Sequence, residues 1–130
     1  MTIPDRDPQL LKGVLPMLVL RLLADEESYG WELVSRLQRA GLTDIATGTV
    51  YPVLGRLERE GQVSSRLVAS TSGPARKYYR PTPVGEAELS RAAEGWAALT
   101  RTVAEVLGAP PADGNTSATT DTTASEGAIR

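Results

Sequence analysis

Three residue types are missing altogether, cysteine, histidine and phenylalanine, and the first two absences exclude chemistry. Without cysteine there are no disulfides, thiol nucleophiles or thiolate metal ligands. Without histidine the usual zinc ligands and the commonest general base go too. No other residues form a catalytic constellation. An enzyme would therefore have to work with carboxylates alone, and the expectation is a protein that is not an enzyme and carries no cofactor and no metal. Cysteine-free chains are compatible with a reducing cytoplasm. No signal peptide is apparent. The apolar run 14–24 is too short to span a bilayer, is broken by Arg21, and has only Arg6 and Lys12 before it. The expected setting is cytoplasmic, away from any membrane.

A positive excess is also missing. The net charge is −2 and the pI about 5.2, which at first argues against nucleic acid. The segment after Gly108 holds Asp113, Asp121 and Glu126 against Arg130, however, and so supplies the whole of that −2. The remainder is balanced, and its positive charge is concentrated. Residues 56–80 hold Arg56, Arg59, Arg66, Arg76, Lys77 and Arg80 against Glu58 and Glu60. Distribution matters more than the sum.

At 130 residues and 41% hydrophobic content, the chain suits one domain plus a tail. Residues 1–8, MTIPDRDP, read as a flexible arm whose basic residue is Arg6. Residues 9–25 form a first helix with almost no polar face, kinked at Pro16. A helix apolar all round must be buried all round. Sharing its surface between the core and a partner subunit meets that need; the alternative is a central helix enclosed by the rest of the chain. Ser28 is a candidate N-cap for a second helix over 29–40 that Gly41 ends. Its expected core residues are Leu33, Val34 and Leu37, with Trp31 nearby. Thr47 is the candidate cap of the next helix.

That helix, TGTVYPVLGRLEREG (47–61), organises the rest. Val50, Val53, Leu54 and Leu57 make one apolar stripe. The opposite face carries Gly48, Pro52, Gly55 and Arg59, edged by Tyr51 and Arg56. Glutamate, lysine and alanine would fill an ordinary solvated face. Glycines here suit close approach, and arginines suit phosphates and guanine edges. A strand over 62–69 follows, with Val63 and Leu67 on one face, then a turn cluster at 70–74. A second strand, RKYYR (76–80), puts one tyrosine on each face. Helix, short turn, helix and a basic, aromatic hairpin together are the layout of a winged helix-turn-helix.

A last helix spans 82–107, with Thr82 as N-cap, Pro83 at N1, and Glu86 and Glu88 near the positive end of the dipole. Leu89, Ala92, Ala93, Trp96, Leu99, Val103 and Val106 recur at spacings of mostly three and four, a seam for another helix. Residues 108–130 have the composition of a disordered tail. Asn115-Thr116-Ser117 matches a glycosylation triplet that carries no meaning in this setting. The fold class is mainly α (α+β): a winged helix-turn-helix over 9–81 with a long C-terminal dimerisation helix over 82–107.

GTVYPVLGRLEREGQV and SGPARKYYRPTPVG resemble the recognition helix and wing of the PadR family of bacterial transcriptional regulators. Residues 10–24 and SYGWEL (28–33) match that family's first two helices. The likeness covers about residues 9–107, the short form with a single C-terminal helix. Trp31 stands where the family usually has tyrosine, and Pro81 where leucine is usual. Proline cannot donate to a sheet ladder, so the wing should end at Pro81.

The resemblance implies a homodimeric, ligand-responsive repressor on a double-stranded inverted-repeat operator, with ATGT and ACAT arms. Thr49, Tyr51, Pro52 and Arg56 would approach bases, and Arg59 a phosphate. Tyr29, Arg76, Lys77 and Tyr78 would meet the backbone, with Tyr79 inward, although the hairpin register is open. Dimerisation would use Leu11, Leu15, Leu18, Leu89, Ala93, Trp96, Leu99 and Val103. Trp96 among alanines would suit a planar aromatic effector. The alternative function is a winged helix that binds protein without DNA, which the acidic pI favours and the clustered arginines oppose.

Overall fold

The computed structural model describes residues 8–108. The expectations for residues 1–7 and 109–130, including the flexible arm and the disordered tail, lie outside the described residues. The elements run α1 (Pro8–Asp25), β1 (Ser28–Tyr29), α2 (Gly30–Arg39), α3 (Thr47–Arg59), β2 (Val63–Ser70), β3 (Gly73–Pro81) and α4 (Pro83–Leu107). Two compact units divide the chain at Ala93/Glu94, inside α4.

In the first unit the core is formed by Leu15, Val19, Leu20 and Leu23 of α1, Leu33, Val34 and Leu37 of α2, and Val50, Leu54 and Leu57 of α3. Leu42 and Ile45 of the α2–α3 turn, Val63 of β2 and Tyr79 of β3 complete it. The period-3.6 stripe of α3 is therefore the buried one, as its spacing requires. Leu15 is only 2% exposed. It is consumed by the chain's own core and has no area left for the dimer contact expected of it; Leu11 and Leu18 are only partly buried. Helix α1 runs unbroken through Pro16.

Helices α2 and α3 both stop on a glycine in the left-handed region, Gly41 at φ 130° and Gly61 at φ 74°. In each the N–H of the glycine and that of the residue after it fold back on the last turn. Leu42 N–H donates to Leu37 O (3.1 Å) and Gln62 N–H to Leu57 O (2.8 Å), which satisfies carbonyls that a helix end leaves orphaned. Helix α1 has neither a glycine nor a basic residue in its last turn. Arg36 of α2 reaches across instead, donating to Leu22 O (2.7 Å) and Glu26 O (2.8 Å).

Three local expectations are corrected. Ser28 is not the cap of α2. It lies in β1, 1% exposed, and its hydroxyl accepts from Arg36 at 2.7 Å; Tyr29 takes the cap position without a side-chain bond. Thr47 is the first residue of α3, and Ala46 is the N-cap. Trp31 is not core but 62% exposed. It directly follows the buried Gly30, about 100° round the helix from it, off the face carrying Leu33, Val34 and Leu37.

The sheet has three strands, in the order β1-β3-β2, where the sequence suggested a two-stranded hairpin. Two residues of β1 are too few to show period-2 alternation. Strand β3 pairs Tyr79 with both Ser28 and Ser65, and Tyr78 with both Tyr29 and Arg66. The expected turn at 70–74 shrinks to Thr71 and Ser72, because Gly73 pairs with Ser70. The register shifts between Val68 and Ser70, where Ala69 faces both Pro74 and Ala75. Pro74 has no N–H to give, so the bulge falls where a ladder bond could not form. Strand β3 ends at Pro81, as expected.

Helix α4 starts on the end of α3. The Thr82 hydroxyl donates to Gly61 O (2.6 Å) and accepts from Gly85 N–H (3.1 Å), the capping bond expected of it. Thr82 N–H donates to Gln62 O at 3.0 Å. Gly85 packs so closely here that a Cβ would lie 2.9 Å from the Gln62 carbonyl carbon, and closer still to its oxygen. In the second unit Trp96 is 47%, Leu99 54% and Val103 45% exposed. Among the described residues no helix is long and apolar enough to cross a membrane.

Candidate nucleic-acid interface

Helix α3 exposes the face that its sequence set apart. Gly48, Thr49, Tyr51, Pro52, Arg56 and Arg59 are exposed and Gly55 half-buried, opposite the buried Val50, Leu54 and Leu57. Arg56 is only loosely held, 3.9 Å from Glu60. Arg59 has no carboxylate partner among the described residues and extends back along its own helix, 3.5 Å from where a Cβ of Gly55 would stand. The Arg59 guanidinium thus lies beside Gly55 on the exposed side of α3, at the distance of an ordinary van der Waals contact.

The register of β3 settles which tyrosine faces out. Tyr79 is 6% exposed in the core, and Tyr78 lies on the other face of the sheet. There it meets Tyr29 edge to face, ring centroids 5.3 Å apart. Arg76 sits over the Tyr29 ring at 4.6 Å and Arg66 near the Tyr78 ring at 5.9 Å. Cations over aromatic faces hold their charge without being neutralised by it. The structure therefore brings Tyr29, Arg76 and Tyr78 into one cluster.

Lys77 is not part of that cluster. The period of two puts it on the opposite face, 5.5 Å from the Tyr79 ring, where its ammonium donates to Glu58 of α3 at 3.1 Å. Glu58 also accepts from the Ser65 hydroxyl at 2.7 Å. The Ser65 bond, then the Lys77 bond, hold the Glu58 carboxyl below the usual carboxylate range, and Lys77 is correspondingly raised. Arg66 is paired too. It donates to both oxygens of Glu27, which lowers Glu27 chiefly through those hydrogen bonds.

Of the six basic residues counted between positions 56 and 80, three are therefore engaged by carboxylates: Arg56, Arg66 and Lys77. Residue counting set Glu58 and Glu60 against the six but missed Glu27, which is 39 positions from Arg66. Arg66 joins the wing cluster through its cross-strand pairing with Tyr78, which depends on the hairpin register that the sequence left open. No group of acidic residues that could hold a metal occurs among the described residues.

Three core helices, a helix-turn-helix with an exposed arginine-bearing second helix, and a basic three-stranded wing define a winged helix-turn-helix protein. Residues 19–91 match the transcriptional regulator PadR-like family. The chain belongs to that family, whose members are regulators rather than enzymes, and DNA binding is implied by membership. It is 42% identical over 98 residues to a transcriptional regulator of Mycobacterium tuberculosis, covering 75% of this chain and 86% of the other. Among solved structures it resembles a PadR-like transcriptional regulator of Bacillus cereus, with 38% identity and a TM-score of 0.69 over 76% of this chain and 96% of that one. A PadR family regulator of Eggerthella lenta gives 37% identity and a TM-score of 0.70 over 76% of this chain and 86% of that one.

Proposed function

We propose that this regulator is a homodimeric repressor that binds an inverted-repeat operator through paired α3 helices. The observation that carries the reading is α3 itself: one face is sealed in the core by Val50, Leu54 and Leu57, and the other offers Arg56 and Arg59 across a surface thinned by glycine. Thr49, Tyr51, Pro52 and Arg56 approach base edges in the major groove, and Arg59 a phosphate. Tyr29, Arg76 and Tyr78 hold the backbone from the outer sheet face, and Lys77 holds it from the α3 side of the wing. Residues 9–81 form the DNA-binding part and 82–107 the dimerisation helix. Leu11, Leu18, Leu89, Ala93, Trp96, Leu99 and Val103 supply the dimer contacts, and Trp96 a stacking face for a planar aromatic effector. Such a protein works in the cytoplasm, where the chromosome is.

Fluorescence anisotropy with operator and random duplexes over a salt series tests the division of roles. Arg56→Ala should relax base preference, losing on the order of 1–3 kcal/mol on operator if the contact is a bidentate guanine pair. Lys77→Ala should weaken both duplexes alike and flatten the salt slope by about one. Equal losses on both duplexes for both variants would contradict the assignment.

A further inference from the structure

Gly30 and Tyr51 meet at the junction of the two helices of the helix-turn-helix unit. Gly30 is the first residue of α2 and is buried. Tyr51 is in the second turn of α3, on the face proposed for DNA, and is 45% exposed. A Cβ at Gly30 would stand 2.5 Å from the Tyr51 hydroxyl oxygen, and closer still to two carbons of its ring. The distal end of the tyrosine therefore occupies the place where any side chain at position 30 would be. No positive φ demands glycine there, since the left-handed glycines of the described chain are Gly41, Gly61 and Gly108.

We infer that Gly30 is a positioning residue for DNA recognition: its missing side chain is the seat that fixes Tyr51 before DNA arrives. This deepens the proposed function and rests on it. A half-exposed tyrosine on a helix has more than one staggered χ1 well open to it. Seating the ring against the backbone of α2 selects one of them. The hydroxyl end then lies at the start of α2, next in the chain to Tyr29 of the wing cluster. Binding need not order the side chain afresh, which removes one conformational loss from association. The seat also sets how closely α2 and α3 approach at this end.

The chemistry of the contact makes the inference testable. At Gly85 an added methyl would strike the backbone of Gln62, which cannot move away. At Gly30 it would strike the free end of a side chain, which can. Gly30→Ala should therefore fold and expel the Tyr51 ring from its seat.

The experiment is a double-mutant cycle on the full chain with Gly30→Ala, Tyr51→Ala and the double variant, reading operator affinity and thermal midpoint. Each single variant should weaken operator binding roughly tenfold, and the double variant should bind no worse than Tyr51→Ala alone, because residues in contact do not add. In the Tyr51→Ala background Gly30→Ala should raise the midpoint, as alanine is the better helix former; in the wild-type background it should not. Multiplied affinity losses, wild-type binding by Gly30→Ala, or a double variant that fails to fold would each overturn the inference. The thermal arm needs no DNA. A wild-type protein that binds no duplex but shows thermal coupling would overturn the DNA-positioning role through the function reading while leaving the seat itself standing; absence of thermal coupling overturns the seat.

Discussion

Glu58 shows how one carboxylate governs both the wing and its charge. It sits among the arginines of α3 yet points to β2 and β3, accepting from Ser65 and Lys77. For Lys77 to meet a phosphate it must leave or share this partner. Glu58→Gln should therefore strengthen binding to random DNA and steepen its salt dependence by about one, as measured by anisotropy; an unchanged slope would mean that Lys77 is not the competing cation. The same bonds set a pH dependence. The folded protein holds Glu58 and Glu27 below the usual carboxylate range. Their contribution to stability is thus fully present above that range and is lost as pH falls through the depressed folded values. Low-salt thermal midpoints should be flat near neutrality and drop in acid, and Glu58→Gln should shrink the drop. Lys77, raised by Glu58, keeps its contribution up to the usual lysine range and loses it only above that.

Among the elements, α3 was the most legible, because four apolar residues at helical spacing and an unusual opposite face both survive into the structure. The capped start of α4 was equally readable, since Thr82, Pro83 and Gly85 act within four residues of one another. What depended on distant partners was not readable. The two-residue β1 has no pattern of its own and exists because β3 lies beside it. Ser28 looked like a cap because serine before a helix usually is one, and the long-range pairing with Tyr79 overrode that preference. Trp31 looked like core by residue type, but its helical angle put it outside. Its exposure has a practical use: Trp31→Phe removes little packing and leaves Trp96 on α4 as the sole tryptophan. Planar aromatic compounds should quench Trp96 saturably, and Trp96→Ala should abolish that binding while the other dimer contacts keep the dimer largely intact. No quenching across a broad aromatic panel, or a Trp96→Ala protein that loses its dimer, would make Trp96 a packing residue instead.

For the whole molecule the open question is what covers the apolar surface. On α4, Leu99 is 54%, Val103 45%, Val106 78% and Leu107 72% exposed in the single chain, and a helix that exposes so many large apolar side chains calls for a partner. A twofold dimer supplies one by matching each patch with its own copy. Sedimentation velocity at micromolar concentration should show a dimer, and Leu99→Glu with Val103→Glu should dissociate it. A folded wild-type monomer at that concentration would refute the assembly. Dimer and DNA site are linked by geometry, since a twofold protein imposes a twofold operator with half-sites about one turn, roughly 34 Å, apart or a multiple of it. Selection of duplexes from a random pool by the full-length protein tests that link most directly. The account predicts enrichment of an inverted repeat with that spacing, lost when Arg56 is replaced by alanine. Enrichment of no sequence, or of a single half-site without its symmetric mate, would contradict it.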